Sequence, residues 1–332
     1  MPTSPATSSA SADEVDAPGG FQGAAFAAAA PGGLAAGGAP LVSIHSRTDL
    51  LLRAEDMPEW FLRTPFIDSG YRDPAAHATL RACLESALRW HNETLNIHTH
   101  LWPAVGCFGL IIARQGMPDY RASSSESQWA NIITNVLTGV MCLCSAWAHA
   151  VHLRGKQHAR DAWIVDNIGI IIGSYARLFP DLWLLAVLVG SHTLFYATSA
   201  ASAAFGLFCI WRALLNDWNW VGPFFAYSMV PYNVAIAAIV FGTPQWLVAQ
   251  GIDVALARFV ASCSVGCSAL CVASSVAFYK GRLPERYWNP NGVLDIVGNS
   301  HQLFHLGIVA GFSTGFAAMP SFQALEHGRG YS

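Results

Sequence analysis

Long apolar runs separated by short polar segments fill the chain from residue 95 onward. Seven of these runs have about the 20 residues that an α-helix needs to cross a bilayer. They lie at 95–114, 128–151, 162–187, 194–213, 219–241, 254–279 and 294–319, and the third and fourth are separated only weakly, around Val189–His192. The pattern predicts an all-α membrane protein, a bundle of seven transmembrane helices.

A helical pattern of a different kind precedes the first run. In residues 73–90, apolar side chains recur at helical spacing opposite a charged face. The apolar set is Leu80, Cys83, Leu84, Ala87 and Leu88. We expect an amphipathic helix on the membrane surface, within a cytoplasmic segment of residues 46–94. Residues 1–45, rich in Ala, Gly, Ser and Pro, are expected to be disordered, and residues 320–332 to form a short external tail.

Composition narrows the class of protein. The chain is 53% hydrophobic and only 12% charged, whereas soluble domains carry about 25% charged residues. We therefore expect an integral, multi-pass protein of the plasma membrane or an endomembrane. No basic block indicates a nucleic-acid partner, and the eight cysteines lie mostly inside apolar runs, which argues against a disulfide framework.

The basic residues predict the orientation through the positive-inside rule. They follow the second, fourth and sixth runs, on the same side as the arginines between residues 47 and 89. The residues concerned are Arg154, Lys156, Arg160, Arg212, Lys280, Arg282 and Arg286. The N-terminus is thus predicted to be cytoplasmic and the C-terminus external.

Polar residues inside the apolar runs are candidates for a functional site. The second run ends, and the third and seventh begin, on the cytoplasmic side. Five polar residues are therefore expected at a similar depth in the membrane: Ser145, His149, Asp166, His301 and His305. Residues four apart share one face of a helix, so His301 and His305 point together, as do Ser145 and His149.

Three neutral imidazoles suit Zn²⁺, and three protein ligands leave the fourth tetrahedral position to water. Such a water can have a pKa near 7, which is typical of catalytic rather than structural zinc. Asp166 would then serve as a base or hold the water, with Ser145 as a hydrogen-bond partner. The alternative is that each histidine is hydrogen-bonded to a neighbouring helix without a metal.

Arg177 follows Asp166 by eleven residues and should face the same interior. It could contact a lipid head group or a fatty carboxylate of the substrate. The alternatives are an internal ion pair, contacts to carbonyl groups, or a side chain that reaches the outer interface.

Two further sets have alternative interpretations. His98 and His100, near the start of the first run, could line the cytoplasmic mouth or make hydrogen bonds at the interface. Cys263, Cys267 and Cys271 form a stripe at helical spacing, which is more typical of close helix packing than of a metal site.

Six short motifs follow one another over residues 57–319: MPEWF, SGYRDP, HNETLNIHTHLW, SAWAH, VDNIGI and NSHQLFH. Their order and separation resemble those of the progestin and adipoQ receptor family. That family includes the adiponectin receptors, the fungal zinc-homeostasis membrane proteins and, more remotely, bacterial haemolysin III proteins. The resemblance implies a seven-helix fold with a cytoplasmic N-terminus.

The resemblance also implies a zinc ion inside the membrane. The matching ligands are His149, His301 and His305, and Ser145 and Asp166 match the family's serine and aspartate beside the metal. The family usually has tryptophan at position 98 and an aromatic residue at position 167, where this chain has His98 and Asn167. Neither departure removes a ligand, although Asn167 adjoins Asp166.

Three functions are open at this stage. Because adiponectin receptors are associated with ceramide hydrolysis, the first is a zinc-dependent hydrolase acting on a membrane lipid such as ceramide, linked to signalling or to zinc and lipid homeostasis. The second is a receptor or sensor with a purely structural zinc and an unidentified extracellular ligand. The third is a proton or ion pathway built on histidine and aspartate.

Overall fold

The computed structural model describes residues 51–61 and 64–328. The segment predicted to be disordered, residues 1–45, lies outside this range. Two short strands, β1 (Leu51–Leu52) and β2 (Tyr71–Arg72), pair in antiparallel fashion. The helices are α1 (Leu80–Ser86), α2 (Thr94–Gln115), α3 (Pro118–Ala122), α4 (Ser125–Val151), α5 (Lys156–Val189), α6 (His192–Leu214), α7 (Val221–Met229), α8 (Pro231–Gly242), α9 (Pro244–Ala249), α10 (Val254–Ser274) and α11 (Ser300–Gly328).

Among the described residues, six helical stretches are long and apolar enough to cross a membrane. They are Thr94–Gln115, Ser127–Arg154, Lys156–Val189, His192–Leu214, Trp218–Gly242 and Val254–Lys280. These stretches match the first six predicted runs, so the prediction of an all-α membrane bundle is confirmed. The weak boundary between the third and fourth runs is also confirmed, because Gly190 ends α5 in the left-handed conformation (φ 76°) that glycine adopts readily.

The fifth run is divided into two helices. α7 ends at Met229 and α8 begins at Pro231. A proline has no backbone N–H to donate to the preceding turn, but it is well suited to the first position of a helix. The apolar pattern alone predicted one continuous span here.

The seventh run begins later than the predicted residue 294. Helix α11 starts at Ser300, whose backbone N–H donates to Glu285 at 2.7 Å and whose hydroxyl donates to the same carboxylate. This carboxylate satisfies one of the free N–H groups at the start of the helix. The helix continues to Gly328, through most of the segment predicted to be an external tail. Its membrane crossing, like the orientation of the termini, stays a prediction.

Six of the helices form a closed ring. In order, α2, α4, α5, α8, α10 and α11 each contact the next, and α11 contacts α2. At one end of this ring α4 ends at Val151, while α2 and α11 begin at Thr94 and Ser300. We call this the histidine end, because His149 and His301 lie there.

Helices α10 and α11 approach each other closely through small residues. A Cβ atom added at Gly311 would lie 2.6 Å from Sγ of Cys271 and 3.0 Å from the backbone oxygen of Cys267. Both cysteines are buried and reduced. The packing role predicted for the cysteine stripe is therefore confirmed at these two positions.

The segment before α2 covers the histidine end. Arg72 is buried, and its guanidinium donates to the backbone oxygens of His149 (2.7 Å) and Ala150 (3.0 Å). A cation at this place matches the carbonyl groups left free at the end of α4. Burial lowers the pKa of Arg72 to about 10, so it stays charged at neutral pH. The arginine therefore fixes the last turn of α4, which carries His149.

Helix α1 exists, but it is shorter than predicted. It has seven residues, with Cys83 buried against the bundle and Leu80 and Leu84 exposed. The predicted apolar face is thus divided between the protein core and the surface. Its location at the membrane surface stays a prediction.

Candidate metal centre

Three histidines from two helices converge at the histidine end. His149 lies in the last turn of α4, and His301 and His305 lie in the first two turns of α11. In the described part of the chain they form a group whose ligand nitrogens all lie within 4.8 Å of one another. Nε2 of His149 and Nε2 of His301 are 3.2 Å apart. The convergence predicted from the helix directions is what the coordinates show.

The other nitrogens of two of these rings are held by the protein. Nδ1 of His149 donates to Oε2 of Glu93 at 2.7 Å. Nδ1 of His305 lies 3.2 Å from the backbone oxygen of Asn96 and 3.1 Å from Oγ1 of Thr99. Because Nδ1 of each ring is bound in this way, Nε2 is left as the metal-binding nitrogen.

This arrangement fits zinc. Two nitrogens bonded to a tetrahedral Zn²⁺ at about 2.0–2.1 Å lie about 3.3 Å apart. The nitrogens of His149 and His301 have this spacing, at 3.2 Å, and the other pairs in the group lie within 4.8 Å. Imidazole ligands of zinc usually donate their second N–H to a carboxylate or a carbonyl group, as His149 does to Glu93. The donor set is thus the one that zinc takes in proteins.

Asp166 and Ser145 lie beside the three imidazoles. Ser145 is one turn before His149 on α4, and its hydroxyl lies beside the carboxylate of Asp166 on α5. Both residues line the same cavity as the histidines. The structure therefore brings together all five of the residues that the sequence placed at this depth.

Glu93 and Asn96 belong to the site but were missed by the sequence analysis. Glu93 directly precedes α2 and is buried, and the Asn96 side chain donates to its Oε2 at 2.7 Å. The available signal was an acidic residue at the very start of an apolar run, inside the HNETLNI motif. Buried carboxylates need such partners.

Arg177 is not where a substrate contact requires it. Its guanidinium pairs with Asp181 at 2.8 Å, and it also donates to the backbone oxygen of Ser264 (2.7 Å) and to Sγ of Cys267 (2.7 Å). The described residues that line the cavity do not include Arg177. Arg177 thus forms an internal ion pair, which was one of the alternatives drawn from the sequence. The structure gives no support to a contact with substrate.

The two histidines near the start of α2 differ from each other. His98 is half-buried, and its Nε2 lies 2.8 Å from the backbone oxygen of Ala87. This agrees with hydrogen bonding at the interface. His100 is buried, lines the cavity and stacks on His305.

The cavity itself has two parts. One part is polar and contains the three histidines, Glu93, Asp166 and Ser145. The other part is apolar, with lining residues Met141, Phe225, Met229, Ile308 and Phe312. Thr64 and Arg282, from segments at the histidine end, also line it.

Known proteins share this sequence pattern over most of the chain. A family model described as haemolysin-III related matches residues 88–316, a range that contains the whole centre. An uncharacterised protein of Schizosaccharomyces pombe is 27% identical over 281 residues, which are 82% of this chain and 60% of that protein. The ADIPOR-like receptor IZH1 of Eremothecium gossypii is 25% identical over 300 residues, 87% of this chain and 90% of the relative.

A mammalian relative extends the comparison. The mouse protein named progestin and adipoQ receptor family member 3 is 26% identical over 270 residues, 76% of this chain and 79% of its own length. The resemblance drawn from the motifs is thereby confirmed. The chain is an integral, multi-pass membrane protein, and it belongs to the haemolysin III-related family, together with the adiponectin- and progestin-receptor-like proteins.

Proposed function

We propose that the protein is a zinc-dependent lipid hydrolase of the adiponectin-receptor type that acts on ceramide-like amides. One observation carries the proposal: three imidazoles converge beside a carboxylate, inside a cavity that is polar at one part and apolar at the other. A purely structural zinc site has no need of an adjoining apolar cavity, and its fourth ligand normally comes from the protein.

The apolar part of the cavity suits an acyl chain. On α11, Ile308 and Phe312 follow His305 by one and two turns, and on α4, Met141 precedes Ser145 by one turn. The apolar lining thus continues from the histidines toward the middle of the bundle. A lipid with its carbonyl group at the histidines would place its chain among these side chains and remove apolar surface from water.

Zinc bound at the three histidines would supply a Lewis acid that polarises an amide carbonyl and acidifies a water. The protein's own residues do the rest. Glu93 holds the His149 ring in orientation, and Ser145 positions the carboxylate of Asp166. Asp166 then takes the proton from water as the new C–O bond forms, and passes it to the amine nitrogen as the C–N bond breaks.

The second candidate is a receptor or sensor with a structural zinc. Its support is that the ligands come from α4 and α11, which do not adjoin each other in the ring and which a metal would tie together. The names of two relatives, an ADIPOR-like receptor and a progestin and adipoQ receptor family member, point in the same direction.

Replacement of Asp166 separates the two candidates. We expect Asp166→Asn to retain zinc, because the residue is not in the ligand group, and to lower ceramide turnover by about 100-fold or more. Zinc content by elemental analysis and release of fatty acid from ceramide are measured on the same purified sample. Asp161→Asn, which replaces an exposed carboxylate on the same helix, is the matched control. It should change neither the zinc content nor the ceramide turnover. If the zinc-loaded parent protein releases no fatty acid, the structural-zinc receptor is favoured.

A further inference from the structure

His100 is the fourth imidazole of the cavity and has no role in the mechanism above. It lies two turns into α2 and is 5% exposed. Its ring stacks on that of His305, with centroids 3.8 Å apart and planes at 11°. It stands outside the ligand group formed by the other three histidines, and its ring lines the cavity.

Both ring nitrogens of His100 are buried, and neither finds a hydrogen-bond partner among the residues that the structure describes. A neutral imidazole carries one donor and one acceptor. Buried polar atoms without partners destabilise a fold, and native proteins usually pair them with protein, water or a ligand. The neighbouring rings of His149 and His305 obey this rule through Glu93 and Asn96. His100 therefore has unused hydrogen-bonding capacity beside the cavity.

We propose that His100 is a specificity-determining residue, which binds a hydroxyl group of the lipid amide whose carbonyl lies at the three histidines. This inference rests on the proposed function. A hydroxyl group both donates and accepts, so it satisfies whichever nitrogen of the ring faces it. An anionic group fits less well, because the carboxylates of Glu93 and Asp166 line the same cavity.

The geometry explains why the hydroxyl must be near the scissile bond. Because His100 lies flat against His305, a group bound at its edge is next to the metal ligands. The hydroxyl and the carbonyl must then be only a few bonds apart, as they are in an N-acyl amino alcohol. A simple alkyl amide would leave both nitrogens of His100 without partners, and sites of this kind discriminate strongly against such analogues.

The test compares two amides on the purified, zinc-loaded protein. Oleoyl ceramide carries hydroxyl groups beside its amide, and N-octadecyl oleamide is a matched amide without them. We expect kcat/KM to favour the ceramide by about tenfold or more in the parent protein. His100→Phe keeps a flat ring on His305 but removes both nitrogens, and should abolish the preference. His100→Asn restores a donor and an acceptor and should recover part of it.

If His100 only fills space in the packing, the two variants should rank in the opposite order. In that case His100→Phe is the better tolerated variant, His100→Asn is the worse one, and the ratio between the two amides changes in neither. Zinc content should be unchanged in both variants, since His100 is outside the ligand group. His98→Phe, on the same helix and bonded to the Ala87 carbonyl, is the matched control and should retain the full preference.

Lipid binding without turnover separates this inference from the proposed function. The measurement is the rise in melting temperature on addition of each amide. If the parent protein cleaves neither amide, yet ceramide stabilises it more and His100→Phe abolishes that difference, the hydrolase proposal fails and the role of His100 stands. If the parent cleaves both amides equally well and both stabilise it equally, the hydrolase stands and the role of His100 is overturned.

Discussion

Glu93 connects the start of α2 to the candidate metal centre through one hydrogen bond. Its carboxylate accepts from Nδ1 of His149 at 2.7 Å and is itself held by Asn96. The spacing of His301 and His305 made the pair visible in the sequence, because four residues bring two side chains to the same face of one helix. The partnership of Glu93 and His149 spans 56 residues, and no local periodicity indicates it.

We expect Glu93→Gln to weaken zinc binding by about 10–100-fold, the usual effect of losing a carboxylate behind a histidine ligand. The neutral amide accepts a weaker hydrogen bond and makes the imidazole a poorer donor to the metal. Competition with a chelating dye measures the affinity. Glu85→Gln, an exposed pair partner of Arg81, is the control and should bind zinc like the parent. If both variants bind zinc with equal affinity, Glu93 does not contribute to zinc binding.

At the scale of elements, the contact between α10 and α11 positions two of the three candidate ligands. Gly307 and Gly311 face α10, and a Cβ atom at either would lie within 2.6 Å of a side-chain atom of Ser274 or Cys271. The cysteine stripe indicated close packing from the sequence, since its members share one face. Which helix would pack there was not indicated, because apolar periodicity marks a face and not its partner.

Gly311→Ala should push α11 away from α10 and lower the stability by about 1–3 kcal/mol, the usual cost of overpacking a close contact. Because His301 and His305 lie on the displaced helix, zinc affinity should fall as well. Gly315→Ala is the matched control, since a Cβ atom there meets no atom of the described residues within 4 Å. Thermal melting and zinc titration of both variants give the comparison. Equal melting temperatures would show that the helices adjust without strain.

At the scale of the whole molecule, the centre joins two helices that do not adjoin each other in the ring. His149 comes from α4, and the other two ligands come from α11. A metal bound only by the folded bundle stabilises it by about 4 kcal/mol when its free concentration is a thousand times Kd. Tertiary structure and metal binding are therefore expected to depend on each other.

We expect a chelator to lower the melting temperature of the zinc-loaded protein, and the addition of zinc to restore it. His301→Ala should melt lower without a chelator and should respond little to it, because its site has lost a ligand. His158→Ala, an exposed histidine at the start of α5, should respond like the parent. Full zinc occupancy in His301→Ala would exclude that residue as a ligand.

The sequence by itself determined the class of protein, the approximate positions of six apolar spans, and the histidines that meet. Each of these depends on local patterns: the length of apolar runs, the spacing of side chains on one helix, and the ends at which the runs begin. The tertiary structure decided the rest. It broke the fifth run at Pro231, moved the start of α11 to Ser300, placed Glu93 behind His149, directed Arg177 to Asp181 and left His100 facing the cavity. These outcomes depend on contacts between residues far apart in the chain, whose geometry exists only once the helices are packed.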